Sequence, residues 1–461
     1  MNKAYFTQIN SELKKSRGII IPHAGKKYAG MCRKSAFQYL PRTNVKKILY
    51  ISAIHSPGAT DNIYILKKDT GFPKINLQLK KALPEKIKDE HSFKWVEQEL
   101  RNQFPNVNIC CLCPDTKVSI KKLSEEIVNL MMKYKNMYLI STTDFTHHTD
   151  KHILHYPEQL HKIVREEELL FNICNKKKIS QYKEVMCGTT SVMIFLSVAR
   201  MLRWKGKIVD YHDSHQSQKK DKLDKYVVHF TERPKLVSYC SFCFGDIHVK
   251  NKLCLFDIMF GIGIVKSVII LEILKKKEPQ LQKIQIKVPK WSPYTTMKNG
   301  VFVGTELVKG KNYKTNCSRG SYETEGKHTS QHIVSSAISC LQDNSRWNIF
   351  YNHYKISDFT YKIEILDAET NWKRYKSMNI KRYFDIRSGK QGIYLDIGIG
   401  KSTYLPVVSR DKKWKLDDYM EQLTKKAGGM GHEWKQPGSN ARIYETHSFI
   451  WDTKQNNLKI T

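Results

Sequence analysis

The sequence predicts two domains in series, an α/β domain over residues 1–245 and an α+β domain over residues 296–461. In the first half, short β-branched runs alternate with amphipathic runs of helical period, as in a sheet flanked by helices. The second half is richer in strands, and in Phe359–Ile365 apolar and polar residues alternate with the period of two that a half-buried strand requires. Residues 246–295 are predicted as a connecting helix and linker that begin the second domain.

Each predicted element corresponds to one of these runs. The strands of the first domain are predicted at Gly18–Ile21, Lys47–Ser52, Asn108–Cys113, Met137–Ser141, Lys207–Tyr211 and Leu236–Cys243. The helices between them are predicted at Met31–Leu40, Ser92–Gln103, Ile120–Lys133, Glu158–Cys174 and Ser191–Trp204. The second domain has predicted helices at Ser330–Leu341 and Lys415–Lys426, with further strands at Val301–Leu307, Gly392–Ile397 and Ile443–Ile450.

The most apolar stretch of the chain runs from Leu253 to Leu274. Asp257, Lys266 and Glu272 interrupt it, and charges at bilayer depth are costly, so a buried helix is favoured over a membrane span.

The chain is strongly basic, with 78 Lys and Arg against 44 Asp and Glu and a formal net charge of +34. The lysines are dispersed in pairs and triplets, which favours a solvated surface. A patch that binds nucleic acid or an anionic membrane is the alternative, because such a charge excess raises affinity for polyanions.

The 11 cysteines are spread along the chain, and the amino terminus has no apolar signal-peptide core. Both features predict mostly free thiols in a reducing, intracellular compartment, the cytoplasm with nuclear access left open. Cys240 with Cys243, and Cys110-Cys111 with Cys113, are candidate zinc ligands. Neither group has a partner pair at zinc-finger spacing, so buried structural cysteines are favoured.

Histidines or an aspartate follow four predicted strands of the first domain, at His23, at His55, at Asp144 with His147, and at His212 with Asp213 and His215. In open α/β sheets, ligands bind in the crevice beyond the carboxyl ends of the strands. Imidazole nitrogens and a carboxylate are the ligands of non-haem iron sites. A lone histidine at a strand end is more often a hydrogen-bonded structural residue, and that interpretation stays open for each position.

The order of several short motifs resembles the Memo-like family, which is related to the class III extradiol ring-cleaving dioxygenases. The matching segments are Pro22-His23-Ala24-Gly25 with Tyr28-Ala29-Gly30, Glu90-His91-Ser92, and Asp144-Phe145-x-His147. The resemblance implies that His23 and His55 are metal ligands and that Asp144 and His147 line the same pocket, with His147 as general acid or base. His91 would be a further acid or base, or would orient a ligand. The implied metal is Fe(II), with copper as the alternative.

The sequence departs from the family pattern at two of these positions. The family often has Ser-His-His where this chain has Ile54-His55-Ser56, so one imidazole is available there. The third ligand, an acid or thiolate in relatives, is expected near Asp213–Ser217, where there is no cysteine. His215 is therefore predicted as the third ligand, with Asp213 as its alternative and an absent metal as the remaining hypothesis.

The second half resembles the AMMECR domain, and the family's domain order is preserved. The matching segments are Gly300-Val301-Phe302-Val303, Gly320-Ser321-Tyr322-Glu323, Ala337-x-x-Cys340, Asp343-x-Ser345-Arg346-Trp347, Gly392-Ile393-Tyr394, Tyr404-Leu405-Pro406, Lys426-Ala427-Gly428 and Ile443-Tyr444-Glu445. The family's signature loop is represented by Thr315–Gly320. A tight turn that needs the glycine is favoured there. The alternative is a ligand- or RNA-binding loop with Cys317 and Arg319 as its active groups.

Two functional hypotheses follow. The first is a metal-dependent, oxygenase-like redox enzyme with its His/Asp pocket in the first domain and an unidentified small-molecule substrate. The second is a catalytically degenerate basic scaffold that binds RNA or an acidic protein. Because genes of both families occur beside radical-SAM enzymes, such an enzyme is a further candidate partner. The chain has no Cys-x₃-Cys-x₂-Cys cluster motif of its own.

Overall fold

The structure is a computed structural model. It describes residues 13–41, 45–55, 60–80, 83–84, 87, 90–147, 156–214, 237–247, 253–275, 282–283, 285–309, 313–321, 327–342, 359–366, 374–385, 391–453 and 455–460. These residues fall into two compact units, and the division lies within the long helix Leu255–Lys275. The domain boundaries predicted at residues 245 and 296 stay predictions.

A seven-stranded mixed sheet forms the centre of the first unit. Its strands are β1 (Ser16–Ile21), β2 (Lys47–Ile51), β3 (Ile63–Lys68), β4 (Asn108–Pro114), β5 (Met137–Thr142), β6 (Lys205–Asp213) and β7 (Ser238–Gly245). The order is β3-β4-β2-β5-β1-β7-β6, and β4, β2, β5 and β1 are parallel neighbours. Strand β7 runs antiparallel to both β1 and β6. Strands β1, β2, β5 and β6 therefore end at the same edge of the sheet.

Helices flank this sheet, as predicted. They are α1 (Lys26–Phe37), α2 (His91–Gln103), α3 (Ile120–Lys133), α4 (Tyr156–Cys174) and α5 (Thr189–Met201). Helix α6 (Leu255–Lys275) follows them along the chain and contains the division between the two units. Side chains fix where two of them begin: Glu90 accepts a hydrogen bond from the Ser92 backbone N–H, and Ser119 accepts one from that of Lys122. Helix α5 is buried along most of its length because it is almost entirely apolar. The sequence analysis missed only one strand of this sheet, the antiparallel edge strand β3.

Helix α6 covers the apolar stretch that the sequence analysis assigned to a buried helix. Within the described ranges, no helix has the length and apolar character that crossing a membrane requires. The carboxylate of Asp257 is 2.7 Å from the Lys207 Nζ and also accepts a hydrogen bond from the Cys254 backbone N–H. Pairing of this kind explains how a buried helix can carry an acid.

The second unit is built on an eight-stranded antiparallel sheet. Its strands are β8 (Val301–Lys309), β9 (Tyr313–Ser321), β10 (Phe359–Leu366), β11 (Arg374–Lys376), β12 (Gln391–Asp396), β13 (Lys401–Tyr404), β14 (Asn440–Asp452) and β15 (Asn457–Ile460). Its helices are α7 (Thr329–Leu341), α8 (Pro406–Lys412) and α9 (Leu416–Lys426). In β10, Phe359, Tyr361, Ile363 and Ile365 are buried, as the predicted period of two requires, but Glu364 between the last two is buried as well and pairs with Lys362. The predicted α+β class is confirmed.

The expectation of a tight turn at Thr315–Gly320 is wrong, because these residues belong to β9, which pairs with β8 along its length. Gly320 does not adopt a positive φ. A Cβ atom at Gly320 would lie 2.4 Å from both the Phe302 ring and the Val301 carbonyl oxygen. Close packing against the neighbouring strand, rather than turn geometry, therefore accounts for this glycine.

Candidate metal centre

A buried arginine holds the loop that carries His23. The loop connects β1 to α1, and the Arg33 Nη1 donates hydrogen bonds to the carbonyl oxygens of Pro22 at 3.3 Å and Ala24 at 2.6 Å. The same guanidinium pairs with both carboxylate oxygens of Glu99. Such a bidentate pair fixes the direction of the guanidinium, so the backbone on both sides of His23 is fixed as well.

His23 and His55 turn the same ring nitrogen toward each other, with 3.1 Å between their Nε2 atoms. The other nitrogen of each ring has a partner of its own. His23 Nδ1 is 2.9 Å from the Thr142 Oγ1, and His55 Nδ1 is 2.9 Å from the Glu90 Oε1. Glu90 also accepts a hydrogen bond from the His55 backbone N–H. A carboxylate on Nδ1 leaves the lone pair on Nε2, which is the arrangement of a metal-binding histidine.

A thiol completes this group. The Cys187 Sγ lies 3.5 Å from the His23 Nε2 and accepts a hydrogen bond from the Asp144 backbone N–H at 3.1 Å. One ligand atom from each of His23, His55 and Cys187 falls within 4.8 Å of the others. We call these three residues the open cluster, because His55 is exposed while His23 is buried.

The spacing of the open cluster suits a metal ion. Zn–N bonds of about 2.1 Å and Zn–S bonds of about 2.3 Å place tetrahedral ligand atoms roughly 3.4–3.6 Å apart. The separations of 3.1 Å between the imidazole nitrogens and 3.5 Å between nitrogen and sulfur are close to these values. If both rings carry their proton on Nδ1, two lone pairs face each other and repel, and a cation between them would remove that repulsion. If one Nε2 carries the proton, the two nitrogens form a hydrogen bond instead.

The structure places a thiol beside the two histidines at a position that was not considered from the sequence. The sequence suggested that no cysteine was available, because the third ligand was expected near Asp213–Ser217. Asp213 is buried at the end of β6, whereas His215 and Ser217 lie outside the described residues. Cys187 precedes α5 instead of following a strand, so the strand-end argument could not identify it. The structure, not the sequence, shows why glycine follows this cysteine: a Cβ atom at Gly188 would lie 2.3 Å from the Thr142 carbonyl oxygen.

The surroundings control the charges of these groups. Burial, together with the nearby His55, holds the pKa of His23 well below its ordinary value, so its ring is neutral at pH 7. The hydrogen bond that His55 donates to Glu90 raises the pKa of His55. Burial opposes ionisation of Glu90, but its hydrogen bonds from His55 and Ser92 bring its pKa to about 2. Burial raises the pKa of the Cys187 thiol, which would need a nearby cation to become a thiolate at pH 7.

The structure brings the other predicted pocket residues to the same edge of the sheet. Asp144 accepts a hydrogen bond from the His23 backbone N–H at 2.9 Å, and burial raises its pKa. The Nε2 of His147 is buried and has no hydrogen-bond partner, and burial lowers the pKa of this ring. His91 stacks on His55 with 4.4 Å between ring centroids, and burial lowers its pKa as well. The ligand-orienting contact belongs to its neighbour Glu90, which the sequence analysis did not select.

The other candidate cysteines are buried free thiols. This holds for Cys110, Cys111, Cys113, Cys240 and Cys243, and all 11 cysteines are unpaired by disulfides. Among the described residues, none of these five belongs to a group able to hold a metal. In the second unit, Cys317 is buried within β9. A reactive role for it would require the strand to open.

The comparisons with known proteins agree with this architecture. The family model described as "Memo-like protein" matches residues 2–228, and the family model described as AMMECR1 matches residues 265–449. The chain is a Memo-like domain fused to an AMMECR1 domain. The open cluster, Asp144, His91 and His147 all lie within the Memo-like part.

Among solved structures, the uncharacterized protein PH0010 from Pyrococcus horikoshii is similar to part of the chain. It is 17% identical, with a TM-score of 0.34, and the match covers 43% of this chain and 96% of that protein. No curated protein sequence matches.

Proposed function

We propose that the Memo-like domain binds iron or copper through the open cluster and acts as a redox protein on a small molecule. The observation that carries the proposal is the convergence of the His23 and His55 Nε2 atoms on the Cys187 sulfur. Two imidazoles and a thiolate form a softer ligand set than two imidazoles and a carboxylate. This set favours copper over the Fe(II) that the family resemblance implies.

The chain's own residues would divide the work around the metal. A bound iron or copper ion supplies one-electron chemistry. Glu90 would hold His55 in the ligating tautomer, Thr142 would orient the His23 ring, and Asp144 fixes the loop through the His23 backbone N–H. The unpartnered Nε2 of His147 is available to accept a proton, because burial keeps that ring neutral at pH 7.

The solvent side of the pocket is aromatic. His91 lies between His55 and Trp95, with ring-centroid distances of 4.4 Å and 4.2 Å, and Trp95 is partly exposed. A planar, electron-rich substrate could stack on these rings next to the metal. This arrangement supports an aromatic substrate class.

Metal analysis of the full-length protein tests the proposal. We expect about one copper or iron per chain after anaerobic reconstitution and desalting. His23→Ala and Cys187→Ser should lose at least about ten-fold in affinity for that metal, whereas Cys110→Ser, at a buried thiol elsewhere in the sheet, should keep it. Oxygen consumption with a reductant present should fall in parallel. If the parent and both ligand variants contain the same amount of copper and the same amount of iron per chain, the metal site is rejected. Full loading without oxygen consumption would reject the redox function.

A non-catalytic basic scaffold remains the second candidate, since the net charge is +34. The lack of a cysteine near Asp213–Ser217 was one reason for this hypothesis. The position of Cys187 beside His23 and His55 weakens that reason. Binding to random single-stranded RNA should weaken steeply as salt rises if the scaffold hypothesis is correct. Binding that salt does not change would contradict it.

A further inference from the structure

A second group of possible metal ligands lies between α1 and β6, away from the open cluster. It consists of Cys32, Asp210 and His212, which have one ligand atom each within 4.8 Å of the others. All three side chains are buried. We call them the closed cluster. Asp210 and His212 are two positions apart on β6, so their side chains project from the same face of the strand, and Cys32 reaches them from α1.

In a neutral His212, the neighbouring protein atoms do not satisfy both ring nitrogens. Its Nε2 is 3.4 Å from the Tyr28 carbonyl oxygen, and its Nδ1 is buried without a hydrogen-bond partner. Nδ1 faces the Asp210 Oδ1 at 3.6 Å, beyond hydrogen-bond distance. If Nε2 carries the proton, the Nδ1 lone pair points toward a carboxylate. If Nδ1 carries it, the Nε2 lone pair points toward a carbonyl oxygen. Either neutral tautomer therefore leaves one ring nitrogen facing an acceptor.

A cation resolves this conflict. With the proton on Nε2, the Tyr28 carbonyl oxygen accepts a hydrogen bond from that nitrogen, and the Nδ1 lone pair is directed at the ion. The distance of 3.6 Å between Nδ1 and the Asp210 oxygen is close to the roughly 3.4 Å between two ligands of a tetrahedral zinc ion. Asp210 is oriented through its other oxygen, which accepts a hydrogen bond from the Ser35 hydroxyl at 2.6 Å. The Ser241 Oγ lies 3.2 Å from the Cys32 Sγ and is the neighbouring oxygen that could complete the coordination of the ion.

We propose that Cys32, Asp210 and His212 bind a structural zinc ion that joins α1 to β6. A thiolate, an imidazole and a carboxylate are established zinc ligands, and a structural zinc site is closed to solvent. The ion would fix α1, whose amino terminus follows the loop that carries His23. The zinc ion would therefore stabilise the helix next to the His23 loop of the open cluster without taking part in the chemistry of that cluster.

The test first removes His55, which among the described residues belongs to both groups of possible metal ligands outside the closed cluster, so that the closed cluster is measured separately. In full-length His55→Ala protein loaded with zinc and desalted, we expect about one zinc ion per chain. Adding Cys32→Ala or Asp210→Asn should remove that ion. Adding Cys243→Ala, which truncates a buried thiol on β7, should leave it in place. Cobalt substitution should give a thiolate charge-transfer absorption that Cys32→Ala abolishes.

Asp210→Asn keeps the size of the side chain and its contact with Ser35, so it tests the site even if Cys32→Ala fails to fold. Circular dichroism shows whether each variant is folded. Zinc content and cobalt absorption that are unchanged in folded Asp210→Asn and Cys32→Ala would overturn the proposal. So would a His55→Ala protein that binds neither zinc nor cobalt, which would mean that the three buried side chains only pack together. Neither outcome depends on whether the open cluster binds iron or copper.

Discussion

The open and closed clusters use the same kinds of donor atom but have different surroundings. The open cluster is assembled from loops beyond the ends of β1 and β2 and from the segment before α5, and His55 reaches solvent. The closed cluster lies on a helix and a strand, with all three side chains buried. Because catalytic sites need an open coordination position and structural sites do not, exposure separates the two roles more clearly than residue type does.

Helix α1 contributes to both clusters through adjacent residues. Cys32 belongs to the closed cluster, and the Arg33 guanidinium holds the loop that carries the open cluster's His23. Loss of the closed cluster's zinc should therefore also disturb the open cluster, whereas variants confined to the ligands of the open cluster should leave the zinc of the closed cluster in place.

The largest effect is expected for Arg33→Ala. This change leaves the Glu99 carboxylate and the carbonyl oxygens of Pro22 and Ala24 without their buried partner. Removing one member of a buried ion pair typically costs about 3–5 kcal/mol, so the free energy of unfolding should fall by about that amount. Urea denaturation measures it, with Lys34→Ala, a change at the neighbouring exposed residue, as the control. A loss below about 1 kcal/mol would mean that Arg33 does not hold the loop.

Sequence reasoning predicted the part of the open cluster that follows a rule of sheet topology. His23, His55 and Asp144 come after parallel strands, and such strands must end at one edge. Cys187 follows a short 3-10 turn instead, so no strand pattern points to it. The closed cluster was missed for another reason: Cys32 and Asp210 are 178 residues apart, and only the packing of α1 on β6 brings them together. Strand β9 was missed because its Lys, Asn, Ser and Gly residues are typical of a loop.

An intermediate effect is expected for Glu90→Gln. The amide can no longer balance the charge of a metal-bound His55, although it keeps the size of the side chain. Loss of such a ligand-orienting carboxylate typically weakens metal affinity by about 10–100-fold. Competition with a chelator should show that decrease at the open cluster and unchanged zinc at the closed cluster. Glu97→Gln, in the same helix α2, is the control and should leave both affinities unchanged. Zinc loss from the closed cluster in Glu90→Gln would show that the two clusters are not independent.

The smallest effect is expected for Glu166→Gln, at a residue that connects the surroundings of both clusters. The Glu166 carboxylate accepts hydrogen bonds from the Thr146 backbone N–H and from the Tyr211 hydroxyl, and burial raises its pKa. The native state therefore holds this proton to higher pH than the unfolded chain, whose Glu pKa is about 4.3, and stability should fall as pH rises above that value. Glutamine resembles the protonated acid, since its amide can donate to the Tyr211 oxygen. Urea denaturation should show that the free energy of unfolding falls less between pH 5 and pH 8 in Glu166→Gln than in the parent. At pH 8 the variant should be more stable than the parent by on the order of 1 kcal/mol. If the variant keeps the parent's dependence on pH, another buried acid is responsible for it.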